Sequence, residues 1–304
     1  MRRKSLRRAN FGLFVEPMDR QLCAARPSVV LAAGVAMAFT ACTYRATDEI
    51  AGSLSIPAGV ERIRVELENA TLDVGLSSEG EGGAQLTFQG GVRMDAEDEQ
   101  QLQLLQSSEH GLVAATDPDD PTVLVVEGPK TPPGVRGMIA YEGNLRLSAE
   151  MPIEIDIRDN GHVTMVGRRA LSKVKTRRGD LRFEECYGGV KATTGSGNVI
   201  AYDHHGDLDI RSQGGDMQAF IVEPGERLTL STGKGTIQCY MPPATKCEVD
   251  ARAEIGRIGN DFGFEVTKPT AYSSVMVGKR GGSKTRVLLR TAAGHIAMRG
   301  LDPR

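Results

Sequence analysis

The chain has 304 residues, 40% hydrophobic and 25% charged, with a formal charge of −2. That suits one large or two ordinary domains, and it excludes a multispanning membrane protein and disorder throughout. Glycine stands at 36, tryptophan is absent and aromatics make up 5%, the balance of a chain with many tight turns between short strands.

The first 45 residues read as an export signal rather than part of a folded domain. Arg2, Arg3, Lys4, Arg7, Arg8, Arg20 and Arg26 form a basic leader, and Pro27 to Tyr44 carries no charge and is rich in Val, Ala and Leu. Translation from Met18 would give a signal of ordinary length. The apolar stretch ends in Phe39-Thr40-Ala41-Cys42, which resembles the lipobox of bacterial lipoproteins; Phe departs from the usual Leu. The resemblance implies cleavage before Cys42 and acylation of its thiol. An ordinary cleaved signal and an uncleaved anchor are the alternatives, and eighteen uncharged residues are marginal for crossing ~30 Å of hydrocarbon. Cleavage at that point removes seven basic and two acidic residues, leaving 30 basic against 37 acidic, a formal charge of −7. That balance argues against nucleic-acid binding. By resemblance to Gram-negative lipoproteins, Thr43 after the cysteine implies delivery to the outer membrane.

Residues 43–57 follow as a short tether. From Val60 the alternation Ile63, Val65, Leu67 and then Leu72, Val74, Leu76 predicts two strands around residues 68–71. Residues 77–83 form a Gly/Glu/Ser loop, and residues 100–108 fit a helix or a strand equally. Turn residues at 117–121 and 130–134 flank a strand at Val123–Val126, so 116–140 is the expected seam.

Beyond the seam, Gly143, Gly161, Gly179, Gly197 and Gly215 recur every 18 residues, and Gly235, Gly256 and Gly294 continue the series with insertions. Seven before the glycine stand Val190, Leu208, Leu228, Val249 and Val287; five before it stand Val174, Ala192, Ile210, Leu230, Ala251 and Leu289. Three before it come Thr176, Thr194, Ser212, Thr232, Ala253 and Thr291. These three columns share one parity and are predicted to face inward. The column two after the glycine, from Val163 to Ile296, joins them only if the turn resets the alternation. Such a repeat suits an all-β chain, a β-solenoid with ~18-residue coils, each stacked on the next at ~4.8 Å. Gly161, Gly179, Gly197, Gly215, Gly235 and Gly294 are its structural turns. The divisions expected are a signal peptide at 1–41, a tether at 42–57, an N-terminal β region at 58–140 and the solenoid at 141–304.

The segments 208–217, 228–237 and 287–296, each a strand leading into Thr/Ser-x-x-Gly, resemble the repeats of the bacterial putative-adhesin family of unknown function. The resemblance spans roughly residues 60–300. It implies a right-handed, single-stranded β-helix on an exported envelope protein, with no active site to carry over.

No motif fixes a reaction. Adjacent His204 and His205 in Asp203-His204-His205-Gly206-Asp207 point to opposite faces of a strand and read as a polar turn, so no metal site is expected. Gly278 to Thr285 lacks the spacing of a phosphate loop, and no Gly-x-Ser-x-Gly elbow occurs. No catalytic residue and no cofactor are therefore assigned, although a Ser/His/Asp set is a matter of geometry that sequence does not decide. Cys186, Cys239 and Cys247 remain after cleavage; one disulfide is open to them, but buried thiols fit the columns better. The outward positions four and six before the glycine carry Lys175, Arg211, Arg252 and Arg290, and Lys173 and Lys191. Stacking would gather these into a basic strip for an anionic glycan or lipid headgroup, with a plain solvated face as the alternative. The sequence thus points to a lipid-anchored, non-enzymatic binding module on the membrane, its partner an anionic glycan or an envelope protein. A carbohydrate-active β-helix enzyme or a scaffold in an envelope complex are the alternatives; acidic and basic residues gathered in one groove would favour the enzyme.

Overall fold

The computed structural model describes residues 44–77, 85–282 and 284–301; Cys42 and the signal lie outside them. The first part of the chain holds β1 (Tyr44–Ser55), β2 (Arg62–Leu67), β3 (Ala70–Leu76), β4 (Gln85–Ala96), helix α1 (Glu99–Gln106), β5 (Val113–Thr116), β6 (Val123–Glu127) and β7 (Gly137–Leu147). Then come β8 (Ile153–Val166), β9 (Ser172–Arg178), β10 (Leu181–Glu184), β11 (Val190–Ser196), β12 (Val199–Gly214), β13 (Met217–Lys234) and β14 (Ile237–Met241). The last are β15 (Cys247–Ile255), β16 (Ile258–Asn260), β17 (Val266–Thr267), β18 (Ser274–Arg280), β19 (Thr285–Ala293) and β20 (Ile296–Gly300). Among the described residues the fold is all-β apart from α1, whose first turn is capped by the Asp98 carboxylate accepting from the Gln101 amide at 2.7 Å.

Partners in the middle of the chain lie 18 residues apart and run parallel. Val190 faces Ser172 and Leu208, and Leu181 faces Val163 and Val199. The long strands β8 and β12 give one half to each of two sheets, so β8, β9, β11, β12 and β10 close a ring of five parallel strands. The first sheet runs β5, β6, β2, β8, β9, β11, β12, β13, β19, β15, β18, β17. The second runs β1, β4, β7, β3, β8, β10, β12, β13, β14, β20, β16.

Every inward column is buried, Ser212 alone being half-buried, and so is the column two after the glycine. The alternation therefore resets at the turn. The reason is steric: Gly197 has φ +136°, and a Cβ there would stand 2.1 Å from the carbonyl oxygen of Gly179, as one on Gly215 would from that of Gly197. Only glycine lets successive corners stack so closely. Gly161 differs from its expected turn role. It lies inside β8, outside the left-handed region, and a Cβ would meet the Ile157 side chain instead.

The spatial order departs from the chain order at both ends. β19 and β20 insert between the repeat of β13 and β14 and that of β15 and β16, so the corner glycines run 235, 294, 256. Likewise β2 and β3 insert between β6 and β7 on one side and β8 on the other. This corrects the expectation that each repeat stacks on the next; β6 and β7, which border the turn at 130–134, belong to the same two sheets as β8. Within the segment expected as a tether, Tyr44–Ser55 form β1, which pairs along its whole length with β4, antiparallel. Both ends of the first sheet finish in antiparallel strands, β5 on β6 at one end and β18 on β15 followed by β17 on β18 at the other.

Candidate anion-binding face

Four of the six strip residues meet on the outer face of β9, β11 and β12. Lys175, Thr193 and Arg211 are in register across the three strands, and Lys173 faces Lys191. Thr193 and Gly195 of β11 are short, whereas Lys175 and Arg177 on one side and Arg211 and Gln213 on the other are long. The result is an open groove of about 840 Å³ whose lining adds Asp156, Arg158 and Arg178. A second hollow of about 370 Å³ continues it over Glu154, Lys173, Lys191 and Asp209.

Carboxylates interleave with these cations. Lys173 stands 3.9 Å from Glu154, Lys175 3.4 Å from Asp156, Arg177 3.3 Å from Asp159 and Arg211 3.1 Å from Asp209. The lysine and arginine heads are exposed, so water screens the pairs and leaves the cations exchangeable for a ligand. Lys191 and Arg178 have no ion pair among the described residues.

Arg252 and Arg290, the other two strip residues, are not part of this groove. Both converge on Asp250, which Arg290 Nη2 approaches to 2.5 Å and Arg252 Nε to 3.2 Å, while Arg290 Nη1 also donates to the Asp250 carbonyl at 2.8 Å. The hydrogen bond from Arg290 holds the Asp250 carboxyl below the usual carboxylate range. Arg290 is thereby committed to the fold. The column rule placed all six on one face; it did not reveal the acids at the matching positions. Asp209 and Asp250 stand six before their glycines, so counting that column for acids as well as bases would have found them.

Other titratable clusters have structural wiring. Ser108, His110 and Asp48 are arranged like a nucleophile, base and orienting acid, with His110 Nε2 3.2 Å from Ser108 Oγ and Nδ1 2.8 Å from Asp48. However, Nε2 is closer to the Leu105 carbonyl oxygen, at 2.7 Å, and Ser108 Oγ donates to that same oxygen at 2.6 Å. A carbonyl only accepts, so Nε2 is the donor and offers Ser108 no lone pair. The cluster ties the end of α1 to β1. His204 is buried, with Nε2 donating to the Asp207 carbonyl at 3.1 Å, while His205 stacks on Tyr187 with centroids 4.5 Å apart. Among the described residues no group of three or more His, Cys, Asp or Glu is placed to hold a metal ion. Cys186, Cys239 and Cys247 are buried thiols, and burial pushes Cys239 up to about 12.

No protein-family model matches the chain, and neither does any curated protein. Solved structures similar to it include a putative cell adhesion protein from Clostridium sporogenes, 13% identical over 83% of this chain and 100% of that one, with a TM-score of 0.31. A putative adhesin from Bacteroides fragilis is 9% identical over 83% of this chain and 97% of that one, with a TM-score of 0.26. The functional reading rests on this chain's own residues.

Proposed function

We propose that the protein is an exported, lipid-anchored envelope protein whose repeat region is a β-solenoid serving as a non-enzymatic, adhesin-like binding module. The observation that carries this is the outward face of β9, β11 and β12. Its backbone is fixed on both edges by parallel neighbours, and its side chains present regularly spaced cations on a protein whose mature form is acidic. In this reading Cys42 bears the lipid and the right-handed coils project the face from the outer membrane. Intact-mass analysis of the membrane fraction tests the anchor: the wild type should lack residues 1–41 and carry acyl chains, and Cys42→Ser should lose them. An unacylated wild-type chain would sink the anchor.

One observation favours a second reading, a polysaccharide lyase: Glu154, Asp156 and Asp209 share the groove with Lys173, Lys175, Lys191 and Arg211. The pairing of each acid with a neighbouring base weighs against it. Incubation with polygalacturonate separates the two, because a lyase leaves an ultraviolet-absorbing unsaturated product and a binding module leaves the polymer intact.

A further inference from the structure

We infer that the groove over Thr193 and Gly195 takes an acidic polysaccharide of the polyuronate kind, laid across the strands and held by Lys175, Lys191, Arg211, Arg177 and Arg178. This rests on the binding-module reading and not on the lipid anchor. Three features point to it.

First, Lys173 directly faces Lys191 in register. Asp209 faces Lys191 from its other side, on β12, but stands 3.1 Å from Arg211 and makes its ion pair there, so the like charges of Lys173 and Lys191 directly opposite one another still destabilise the sheet. A bound anion would relieve it. Second, the groove mixes cations with acceptors and hydroxyls: Asp156, Thr193, Ser196 and Gln213 line it beside Arg158, Lys175 and Arg211. A bare phosphate finds cations there and is repelled by Asp156 and Asp209. A uronate sugar uses both, its carboxylate accepting from Lys and Arg and its hydroxyls donating to Asp and Gln. Third, six strand steps separate β1 from β11, through β4, β7, β3, β8 and β9. At ~4.8 Å per step that is on the order of 30 Å, so the groove lies well inside the stack rather than at its β1 edge. The same step places the cations of successive strands at intervals close to one sugar ring, so a chain crossing the strands meets a repeating set of contacts.

The test is a titration of the full-length protein with polygalacturonate, with neutral dextran and phosphatidylglycerol vesicles as comparison ligands. Polygalacturonate should bind, dextran should not, and affinity should fall steeply with added salt. Lys191→Glu with Arg211→Glu should weaken binding by about tenfold or more, and the milder Arg177→Gln with Arg178→Gln by several-fold. Arg252→Gln, outside the groove, should bind like the wild type. Melting curves establish that each variant is folded; were the double reversal unfolded, the neutral pair decides. No binding of polygalacturonate by folded wild type would overturn the inference. So would preference for the vesicles, which would reassign the face to a lipid headgroup, or equal losses in Arg252→Gln.

Discussion

Threonine three before the corner glycine both fills the core and satisfies the turn. Thr232 Oγ1 donates toward the carbonyls of Lys234 and Gly215, both at 3.1 Å; Thr176 and Thr194 donate to Arg178 and Ser196 at their own corners, and Thr291 to Gly235 at the neighbouring one. At Ala253 the hydroxyl is missing, and Ser274 from the facing strand supplies it to the Gly256 carbonyl at 3.0 Å. On the outer side the residue after the glycine caps the next repeat: Asp180 accepts from the Asn198 amide at 2.7 Å, Asn198 from Asp216 at 3.0 Å and Asp216 from Thr236 at 2.7 Å. Both columns are legible in the sequence as residue types, whereas the bonds that join one repeat to another, such as Thr232 to Gly215 and the Asn198 amide to Asp180, are not. His204 carries the residue-scale prediction. Burial pushes it down to about 4, and its Nδ1 has no hydrogen-bond partner among the described residues, so the folded protein keeps the ring neutral. An unfolded histidine titrates near ~6.5, so its stabilising effect is complete above that pH and is lost as pH falls from about 6.5 to 4, roughly 3 kcal/mol in all. Urea unfolding at pH 7 and pH 4 should therefore show His204→Gln losing about 3 kcal/mol less than the wild type; equal losses would contradict it.

At the scale of elements the unit is one strand from each sheet joined at a glycine corner. Removing residues 180–197 would join Gly179 to Asn198, delete β10 and β11 together and bring β8 and β9 directly onto β12. Such a variant should be soluble and melt cooperatively at a lower temperature. Removing nine residues, 180–188, should instead give aggregated protein, because one sheet loses a strand and the other does not. Circular dichroism melts and gel filtration check both. The period of 18 was readable because inward residues recur in both halves. β1 was not readable, since only Ile50 of its twelve residues is buried and the parity it shares with Ala46 and Leu54 also carries Asp48 and Gly52, which breaks the apolar pattern. Its place comes from backbone pairing with β4, which leaves no mark on side-chain type. The segment of α1 was ambiguous for a similar reason: Leu105 alone is buried within it.

For the whole molecule, the order of strands decides how the ends are protected. β19 and β20 pair on both edges, so the last two described strands are interior ones, and the outer edge of β15 is closed by the antiparallel β18. A sequential stack would tolerate loss of its last repeat. Here, removing residues 285–304 opens the edges of β13, β14, β15 and β16 at once and exposes the apolar columns beneath. That variant should be insoluble or melt without cooperativity, and a soluble, cooperatively melting truncation would contradict the order. Nothing in the sequence announces it, because β13 and β19 are 59 residues apart in register, from Leu228 to Val287, and a repeat count treats Gly256 and Gly294 as simply successive. The candidate site was half legible. Its cations follow from parity, whereas the groove depends on Gly195 and Thr193 lying between longer neighbours.

Corner glycines build the stack, while the outward residues contribute little to its stability. The most direct measurement is thermal melting of Gly197→Val beside Lys191→Ala. Valine at Gly197 needs a positive φ and drives its Cβ into the Gly179 carbonyl, so this variant should melt far below the wild type or fail to fold. Lys191→Ala should melt within a degree or two of it. Equal, small effects of the two would contradict the account.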